Sequence, residues 1–560
     1  MEKAHHVLSP FLFTTQTILK IRPIFSLLLI SLVSCVKDMT PPPALNTMGY
    51  SIDGKPNNPA RGTGLRPLMK IQFNQPIDTT SLKEAVNLFG NSTIIDIIRT
   101  TKNNDSVLVI QPKNNLDYLS TYDLQVDQRL KSREGTFIEN VFSSRFTTGL
   151  DSTYKKPVIS DETLFDTVQK QTFRYFWDFA HPVSGLIRER NNSGDLVTIG
   201  GSGFGIMAIL VGIERNFISR EQGLERLHTI TEFLQNKADR FHGVFPHWLS
   251  GTTGKTIPFS TRDNGGDLVE TSFLIAGLLC AKEYFDGNAS SEANLRQKIK
   301  DIWESVEWNW HTKGGENVLY WHWSPQYEWQ MNHKIEGWNE ALITYVLAAA
   351  SPTYPITRDV YEKGWARNGN MKNGKSFYGI TLPLGYDLGG PLFFTHYSFL
   401  GIDPRNLKDQ YGDYWQQNVS HSLINHTYCA ANPRQYYGYS DQCWGLTASD
   451  SNNGYNAHSP TNDLGVISPT AALSSFPYTP EESKKALHFF YYVLGDKIFK
   501  EYGFMDAFNL HNLWFSNTFL AIDQGPILLM IENHRSGLLW EYTMRNEDIR
   551  DGLTKLGFTY

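Results

Sequence analysis

The densest group of residues that could do chemistry is an acidic cluster in the middle of the chain. Asp263 and Asp267 lie four residues apart, and Glu270 follows three residues later. If a helix begins near Asp263 or Gly265, Asp267 and Glu270 share one face of its first turns. Carboxylates gathered in this way repel one another, so their pKa values separate and one can keep its proton near neutral pH. Such a cluster can supply a general acid and a general base.

A simpler interpretation of the same cluster is a helix N-cap with solvated acids, which is common for any single Asp. Two features favour a functional site instead. Gly265 and Gly266 allow a ligand to approach the backbone, and the apolar run that follows predicts a buried helix. We therefore expect the three acids to line an active site.

A second acidic position is Glu340, which follows Trp338 and Asn339 at the head of an apolar stretch that runs to Ala350. A glutamate in front of a buried helix is costly unless it faces a wet groove or a partner. Glu336, one turn earlier, competes for the same role. Among later acids, Asp523 is a further catalytic candidate.

Aromatic residues near loops predict the walls of a carbohydrate groove. The aromatic share of the chain is 13%, and sugar C–H faces stack on aromatic rings while hydroxyl groups need polar neighbours. Packing remains the more common role for any single ring, but as a set they favour sugar. The candidate substrate-binding residues are Arg262, Trp177, His247, Trp248, Trp321, Trp323, Trp338, Asn339, Tyr386, Trp444, Asp450 and His458.

The cysteine pattern predicts no metal site, because no Cys/His grouping has the spacing of a zinc site. Cys280 lies in an apolar run and is expected to be buried. Cys429 and Cys443 are close in sequence, so a local disulfide and two free thiols are both compatible with the pattern.

The N-terminal residues predict an export signal. Lys20 and Arg22 precede a short apolar run that ends in Leu-Val-Ser-Cys, with Cys35 as the residue that a lipoprotein signal would present for lipidation. We expect a signal peptide over residues 1–34, a proline-stiffened tether over 35–46, and a lipid anchor in the bacterial outer membrane, on its periplasmic or surface face. An ordinary secretory signal with an incidental cysteine is the alternative.

The charge balance argues against nucleic acid as a partner. The chain has 51 Lys and Arg against 57 Asp and Glu, a net charge of −6, and no long basic run. We expect a monomer that meets the membrane only through its lipid anchor.

Two domains follow from the hydrophobic periodicity. Residues 47–150 alternate with strand period, as in 68–73, 106–110 and 122–126, and predict an all-β sandwich. A spacer role suits this domain better than glycan binding. Residues 155–560 have helical spacing and long loops, which predict an all-α domain. The simplest closed arrangement is an (α/α)6 barrel, with a solenoid of helix pairs as the alternative, while a β/α barrel is disfavoured.

Several motifs, taken together and in order, resemble a known family. They are the residues 261–271, 337–340, 456–463 and 523–526, over a span of roughly 164–557. This part of the chain resembles the glucoamylase-like domain, and within that group glycoside hydrolase family 144, the endo-β-1,2-glucanases. The segments 71–78 and 142–148 resemble a bacterial Ig-like module.

The resemblance implies an (α/α)6 barrel that hydrolyses linear β-1,2-glucan to short sophoro-oligosaccharides with inversion, without cofactor or metal. It carries over to Asp263, Asp267, Glu270 and Glu340, and less directly to Asp523. Inversion needs a protonated and an ionised carboxyl group ~6.5–9.5 Å apart, or further with relaying waters. We assign Glu340 as the acid and draw the base from the acidic cluster or Asp523.

Three alternatives remain open from the sequence. An exo-acting, glucoamylase-like hydrolase would have a closed pocket, which a loop over 436–462 could form. A polysaccharide lyase fits less well, because its groove needs basic groups and the motifs here are acidic. A non-catalytic glycan-binding lipoprotein would keep the aromatic walls but need no cluster of acids.

Overall fold

The computed structural model describes residues 42–56 and 60–560. The predicted signal peptide, Cys35 and most of the predicted tether lie outside these residues. The described chain consists of an N-terminal β-sandwich followed by a helical domain with short strand pairs in its loops.

The sandwich contains a four-stranded and a five-stranded sheet. All three predicted strands are present, and their alternating side chains fill one core between the sheets. In spatial order, the first sheet is Thr47–Ile52, Met69–Phe73, Val107–Pro112 and Ile97–Lys102, and the second is Ala60–Thr63, Phe142–Thr148, Thr121–Val126, Val86–Gly90 and Thr93–Ile95.

The sandwich is docked on the helical domain. The Tyr118 hydroxyl donates to the Val493 carbonyl at 3.3 Å and to the Asp496 carboxylate. The Tyr118 ring belongs to the core of the helical domain, and Lys497 lies 4.4 Å from its centroid. Arg61 adds a hydrogen bond of 3.1 Å to the carbonyl of His511. The sandwich therefore contributes side chains to the second domain.

The helical domain has no long β-sheet among its described residues. Its longer α-helices are Asp161–Trp177, Ile199–Glu214, Arg220–Asn236, Leu268–Tyr284, Ser290–Glu304, Leu342–Ala350, Tyr414–Ala431, Pro469–Leu473, Pro480–His488, Ala521–Arg535, Leu538–Arg545 and Glu547–Leu556. Two 3₁₀ turns, Leu392–Thr395 and Tyr397–Leu400, lie between them.

Two helices of the domain are apolar on every face and form its centre, Ile199–Glu214 and Leu268–Tyr284. They pack closely because glycines face each other. A Cβ on Gly203 would lie 2.2 Å from the carbonyl oxygen of Phe273, and one on Gly277 would lie 2.4 Å from that of Gly203. Larger residues there would force the two helices apart.

Several further segments of the domain pack on these helices and on one another. Leu342–Ala350 packs on Leu268–Tyr284, and its Ile343 N–H donates to Ser398 in the 3₁₀ turn Tyr397–Leu400. Pro469–Leu473 contacts Ala521–Arg535, which packs on Ile199–Glu214. The N-terminal ends of several of these segments carry the predicted acids.

One local prediction needs correction, and the structure decides one question that the sequence left open. The helix of the acidic cluster begins at Leu268 with Asp267 as its N-cap, later than expected, because Gly266–Asp267 first pairs as a strand with His322–Trp323. Cys429 and Cys443 are free thiols in the apolar core, so the disulfide allowed by their spacing is not formed. Cys280 is buried, as predicted. Among the residues described, no helix is both long and apolar enough to cross a bilayer.

Candidate active site

Two cavities meet beside Glu340. The first, called here the inner cavity, has a volume of about 420 Å³, and the second, the outer cavity, about 530 Å³. Trp321 and Glu340 line both. The other residues of the inner cavity include Glu189, Arg190, His247, Trp248, Phe259, Glu270, Phe393, Tyr397, Tyr455, Ala457 and Leu520. The outer cavity is lined by Asn332, His333, Lys334, Glu336, Asn339, Tyr386 and Phe394.

Glu340 lies just before the helix Leu342–Ala350, at the junction of the cavities. Its carbonyl accepts a hydrogen bond from Ser398, and the preceding Asn339 accepts the Ala341 N–H at 2.9 Å. Burial raises the pKa of Glu340 to about 7, and the charges of Glu270 and Asp267 add to the effect. A large fraction of Glu340 therefore keeps its proton near neutral pH, and the residue lines both cavities, as a general acid must.

Glu270 faces the inner cavity from the first turn of Leu268–Tyr284. Its Oε2 accepts the Gly200 N–H at 2.8 Å, and its Oε1 lies 3.9 Å from His247 Nε2. Burial raises the pKa of Glu270 above its ordinary value, and the charges of Asp267 and Asp263 add to the rise, while the imidazolium of His247 and the Gly200 N–H oppose it. The same cavity thus holds two carboxyl groups in different surroundings.

Asp267 is fully engaged by its neighbours. Its Oδ1 accepts the N–H groups of Val269 at 3.1 Å and Glu270 at 2.9 Å. Its Oδ2 lies 3.0 Å from His247 Nδ1 and 3.5 Å from His322 Nε2. Burial alone would raise the pKa of Asp267, but the hydrogen bonds from both histidines hold it well below its ordinary value. Asp267 is an ionised anchor, and it does not line either cavity.

The two histidines carry the compensating charge. Burial would lower both pKa values, but carboxylate neighbours raise those of His247 and His322 to about 9. For His247 these neighbours are Glu270 and Asp267, and for His322 they are Asp263, whose Oδ2 lies 3.2 Å from Nε2, and Asp267. Asp263 is buried and likewise lines neither cavity.

The same cluster is the place in the described chain where a metal ion could be held. One ligand atom each from His247, Asp263 and Asp267 lie within 4.8 Å of one another. Protonated histidines already balance these carboxylates, so the residues do not require a cation for charge neutrality. The absence of a cofactor therefore stays a prediction.

A second group of acids lies behind another part of the inner cavity. Asp523 and Asp506 are buried, and their carboxyl groups are hydrogen-bonded to each other. Burial raises the pKa of Asp506 to about 7, and burial together with the charge of Asp506 raises that of Asp523 well above its ordinary value. Burial therefore favours a proton shared within this pair. Asp523 lines neither cavity, so it is less well placed than Glu270 to act on a water beside the substrate.

Tyr397 lies between the two acidic groups. Burial raises the pKa of its hydroxyl well above the ordinary value, with smaller effects from Asp523 and Tyr455 on one side and Glu340 and Glu270 on the other. It lines the inner cavity from the 3₁₀ turn Tyr397–Leu400. The acids predicted from separate motifs thus converge on one cavity region.

Some predicted substrate-binding residues line the cavities. His247 and Trp248 lie in the inner cavity, where Phe259 packs on them with ring centroids 4.3 and 4.7 Å away. Trp321 lies at the junction, and its ring stacks on His333 at 4.9 Å. Asn339 and Tyr386 face the outer cavity.

Other predicted residues lie elsewhere. Trp338, Trp444 and His458 are buried in the protein. Trp177 packs under Arg226, and Trp323 packs against His242 and Trp310.

Arg262 is exposed in the turn before the acidic helix. The Asp450 carboxylate pairs with Arg190 and accepts a hydrogen bond from Thr518, so it is engaged in contacts within the protein. Neither residue lines a cavity.

The sequence prediction missed several cavity residues and the acid behind them. Glu189, Arg190, Phe259, Tyr397 and Tyr455 line the inner cavity. An acid placed between two arginines, as in Arg188-Glu189-Arg190, is a weak signal that could have marked the first two. The acid behind the cavity, Asp506, is isolated in an apolar and aromatic stretch, and such a position indicates a buried, partnered carboxyl group.

Comparison with known proteins agrees with this architecture. Residues 332–547 match the family described as "Putative glucoamylase". Residues 52–148 match the bacterial Ig-like domain. The two matches fall in the helical domain and in the sandwich.

Three relatives extend the comparison. The exo β-1,2-glucooligosaccharide sophorohydrolase (non-reducing end) of Parabacteroides distasonis is 47% identical over 420 residues, which are 71% of this chain and 58% of that protein. The matched part thus spans less than two thirds of that curated relative.

The endo-β-1,2-glucanase of Chitinophaga pinensis, solved with sophorotriose and glucose, is 55% identical with a TM-score of 0.71, over 72% of this chain and 99% of that one. A β-1,2-glucanase structure from Parabacteroides distasonis is 38% identical with a TM-score of 0.70, over 92% of this chain and 73% of that one. The chain therefore belongs to the glucoamylase-like family that includes these proteins, and carries a bacterial Ig-like domain in front of its family domain.

Proposed function

We propose that this protein is a glycoside hydrolase that cleaves linear β-1,2-glucan within the chain, by inversion, to short sophoro-oligosaccharides. The linkage is taken from the three relatives, all of which are named as acting on β-1,2-glucan or its oligosaccharides and one of which was solved with sophorotriose and glucose. The reaction class is supported independently by the carboxyl groups in the cavities.

In this mechanism, Glu340 donates its proton to the glycosidic oxygen as the bond to the anomeric carbon breaks. Glu270 is the proposed base, because it faces the same cavity and its Gly200 and His247 contacts favour the ionised form. It accepts a proton from the water that attacks the opposite face of the sugar. Asp267 caps the helix that carries Glu270. Asp267 and Asp263 stabilise the protonated form of His247, and His322 pairs with both carboxylates.

One observation carries the proposal: Glu340 lies at the point where two cavities meet, in surroundings whose burial raises its pKa to about 7. A chain bound across both cavities would place a glycosidic bond beside its carboxyl group. Aromatic and polar side chains both line the two cavities, as sugar binding needs.

Exo action is a second candidate, favoured by two findings. The relative at 47% identity is an exo-acting sophorohydrolase. In addition, Tyr455, Ala457 and Leu520 line the inner cavity, and a wall there that stops the bound chain would suit release of units of fixed length.

The test is incubation of the protein with linear β-1,2-, β-1,3- and α-1,4-glucans, with products sized over time. Mixed oligosaccharides from β-1,2-glucan at early times support endo action, and a single short product from the first moments supports exo action. Binding without hydrolysis on all three glucans would contradict the enzyme proposal and support a glycan-binding role.

We also propose the (α/α)6 barrel for the helical domain. The order of contacts between inner segments, which returns from Ala521–Arg535 to Ile199–Glu214, supports a closed ring. The outer segments, such as Glu547–Leu556, are amphipathic, as expected for the outside of a double ring.

The outer-membrane lipoprotein with a lipid on Cys35 and the monomeric state are proposals from the sequence. Labelling with a radioactive fatty acid tests the first. A Cys35→Ser variant should lose the label and leave the membrane fraction, and a label retained by the variant would contradict the lipid anchor.

The monomeric state is tested by light scattering of the chain without residues 1–35. A dimer would contradict it.

A further inference from the structure

One wall of the inner cavity is a loop over residues 448–457, called here the wall loop. Its two ends pair as the short strands Ala448–Ser449 and Asn456–Ala457. Ala448, Tyr455 and Ala457 line the cavity. Tyr455 is 50% exposed, so core packing alone does not hold its ring, and the position of the wall depends on what fixes the loop.

The loop is fixed at Asp450, directly after its first strand. The Asp450 N–H donates to Asp506 Oδ2 at 2.6 Å. The Asp450 carboxylate accepts the Thr518 hydroxyl at 2.6 Å and pairs with Arg190 at 3.2 Å. Ser449 adds a hydrogen bond of 2.7 Å to Ser468. Asp506 therefore anchors the backbone of the loop, while Thr518 and Arg190 anchor the side chain of Asp450.

Asp506 is itself tied to an inner helix. It is 1% exposed and hydrogen-bonded to the carboxyl group of Asp523 in Ala521–Arg535. Asp506 Oδ1 and Asp523 Oδ2 are buried and have no hydrogen-bond donor as partner among the described residues, so a proton shared between the two carboxyl groups is the contact that joins them. Asp450, Asp506 and Asp523 do not line either cavity. Their contacts thus run from the helix to the loop without touching the space that substrate would fill.

We propose that Asp506 is a positioning residue that fixes the wall loop, and that the wall loop sets how many sugar units the inner cavity accepts on its side of Glu340. The inference rests on the proposed glucan hydrolysis and deepens it, since it assigns product length to a segment outside the proton-transfer steps. Ala448, Tyr455 and Ala457 are the contacts that would limit the chain.

The experiment compares the wild-type chain with three variants on linear β-1,2-glucan and on sophoro-oligosaccharides of defined length. Asp506→Ala removes the acceptor of the Asp450 N–H. Asp506→Asn keeps the size, an oxygen for that N–H and an amide that can donate to Asp523. Glu532→Ala removes a buried acid from the far end of the same helix, where it binds Arg215 and Gln169, and serves as the matched control.

We expect Asp506→Ala to lengthen the products and to raise KM for short oligosaccharides about tenfold, with kcat little changed, because an unsatisfied buried donor loosens the loop. Asp506→Asn should restore the wild-type product lengths and KM. Glu532→Ala should lower the unfolding temperature but keep the product lengths of the wild type.

Wild-type product lengths and KM in Asp506→Ala would overturn the inference, as would a loss confined to kcat or a defect in Asp506→Asn equal to that of Asp506→Ala. Inactive wild-type protein would instead refute the proposed function. If Asp506→Ala does not fold, Tyr455→Ala provides the same test from the exposed side of the loop. Longer products from Tyr455→Ala support the inference, and an unchanged product ladder contradicts it.

Discussion

Asp267 caps the helix that carries Glu270: its Oδ1 accepts the Glu270 backbone N–H at 2.9 Å. The cap fixes where the helix begins, and with it the direction in which Glu270 leaves the backbone. The two acids are three residues apart, but their surroundings shift their pKa values in opposite directions, downward for Asp267 and upward for Glu270. One is ionised and bound on both oxygens, whereas the other faces the inner cavity.

Replacement of the proposed acid tests the chemistry. Glu340→Gln keeps the shape of the side chain but removes its proton, so kcat on β-1,2-glucan should fall on the order of 10²–10⁴-fold. The unfolding temperature should stay close to that of the wild type. Glu225→Gln, on an exposed part of Arg220–Asn236, is the control and should keep its rate. Near-wild-type turnover in Glu340→Gln would exclude Glu340 as the acid.

The pH dependence of the rate follows from the protonation of Glu340. A general acid works only while it is protonated, so kcat/KM should fall as pH rises through about 7, where Glu340 loses its proton. The measurement is an initial-rate profile on β-1,2-glucan at constant ionic strength. A rate that is flat across this range would mean that another group donates the proton.

Much of the fold could be predicted from local patterns. Strand alternation in Met69–Phe73 and the proline-led start of Pro480–His488 are set by neighbours in sequence, and both elements are present. Glu340 was recognisable because an acid in front of an apolar helix needs a wet surrounding. Such features depend on a few consecutive residues.

The remaining parts of the site depend on contacts between distant segments. Asp506 binds Asp450, 56 residues away, and no pattern at either position specifies the other. Trp338 and Trp321 are both tryptophans near Glu340, yet the first is 2% exposed and the second lines both cavities. Which ring is buried is decided by tertiary packing, which the spacing of aromatic residues does not encode.

The histidine–carboxylate network predicts a pH dependence of stability. The folded-state pKa of His322 is about 9, above the unfolded value of ~6.5. Its stabilisation is therefore complete below pH ~6.5 and is lost as pH rises through about 9. Urea unfolding at several pH values should show this decline.

The variant His322→Gln isolates that contribution. It should lower the free energy of unfolding by roughly 1.5–3 kcal/mol at the acid end of the range, because charged hydrogen bonds to Asp263 and Asp267 are lost. The difference from the wild type should shrink toward alkaline pH. A difference that is constant with pH would show that His322 is not charged in the folded protein.

Metal removal tests the remaining interpretation of the acidic cluster. His247, Asp263 and Asp267 could hold an ion by geometry, but raised pKa values keep His247 and His322 protonated at neutral pH, and a protonated nitrogen is not a ligand. Dialysis against EDTA should therefore leave the rate on β-1,2-glucan unchanged, and added Zn²⁺, Ca²⁺ or Mg²⁺ should not increase it. Loss of activity that one of these ions restores would place a metal in the cluster, and His247 would then be a neutral ligand.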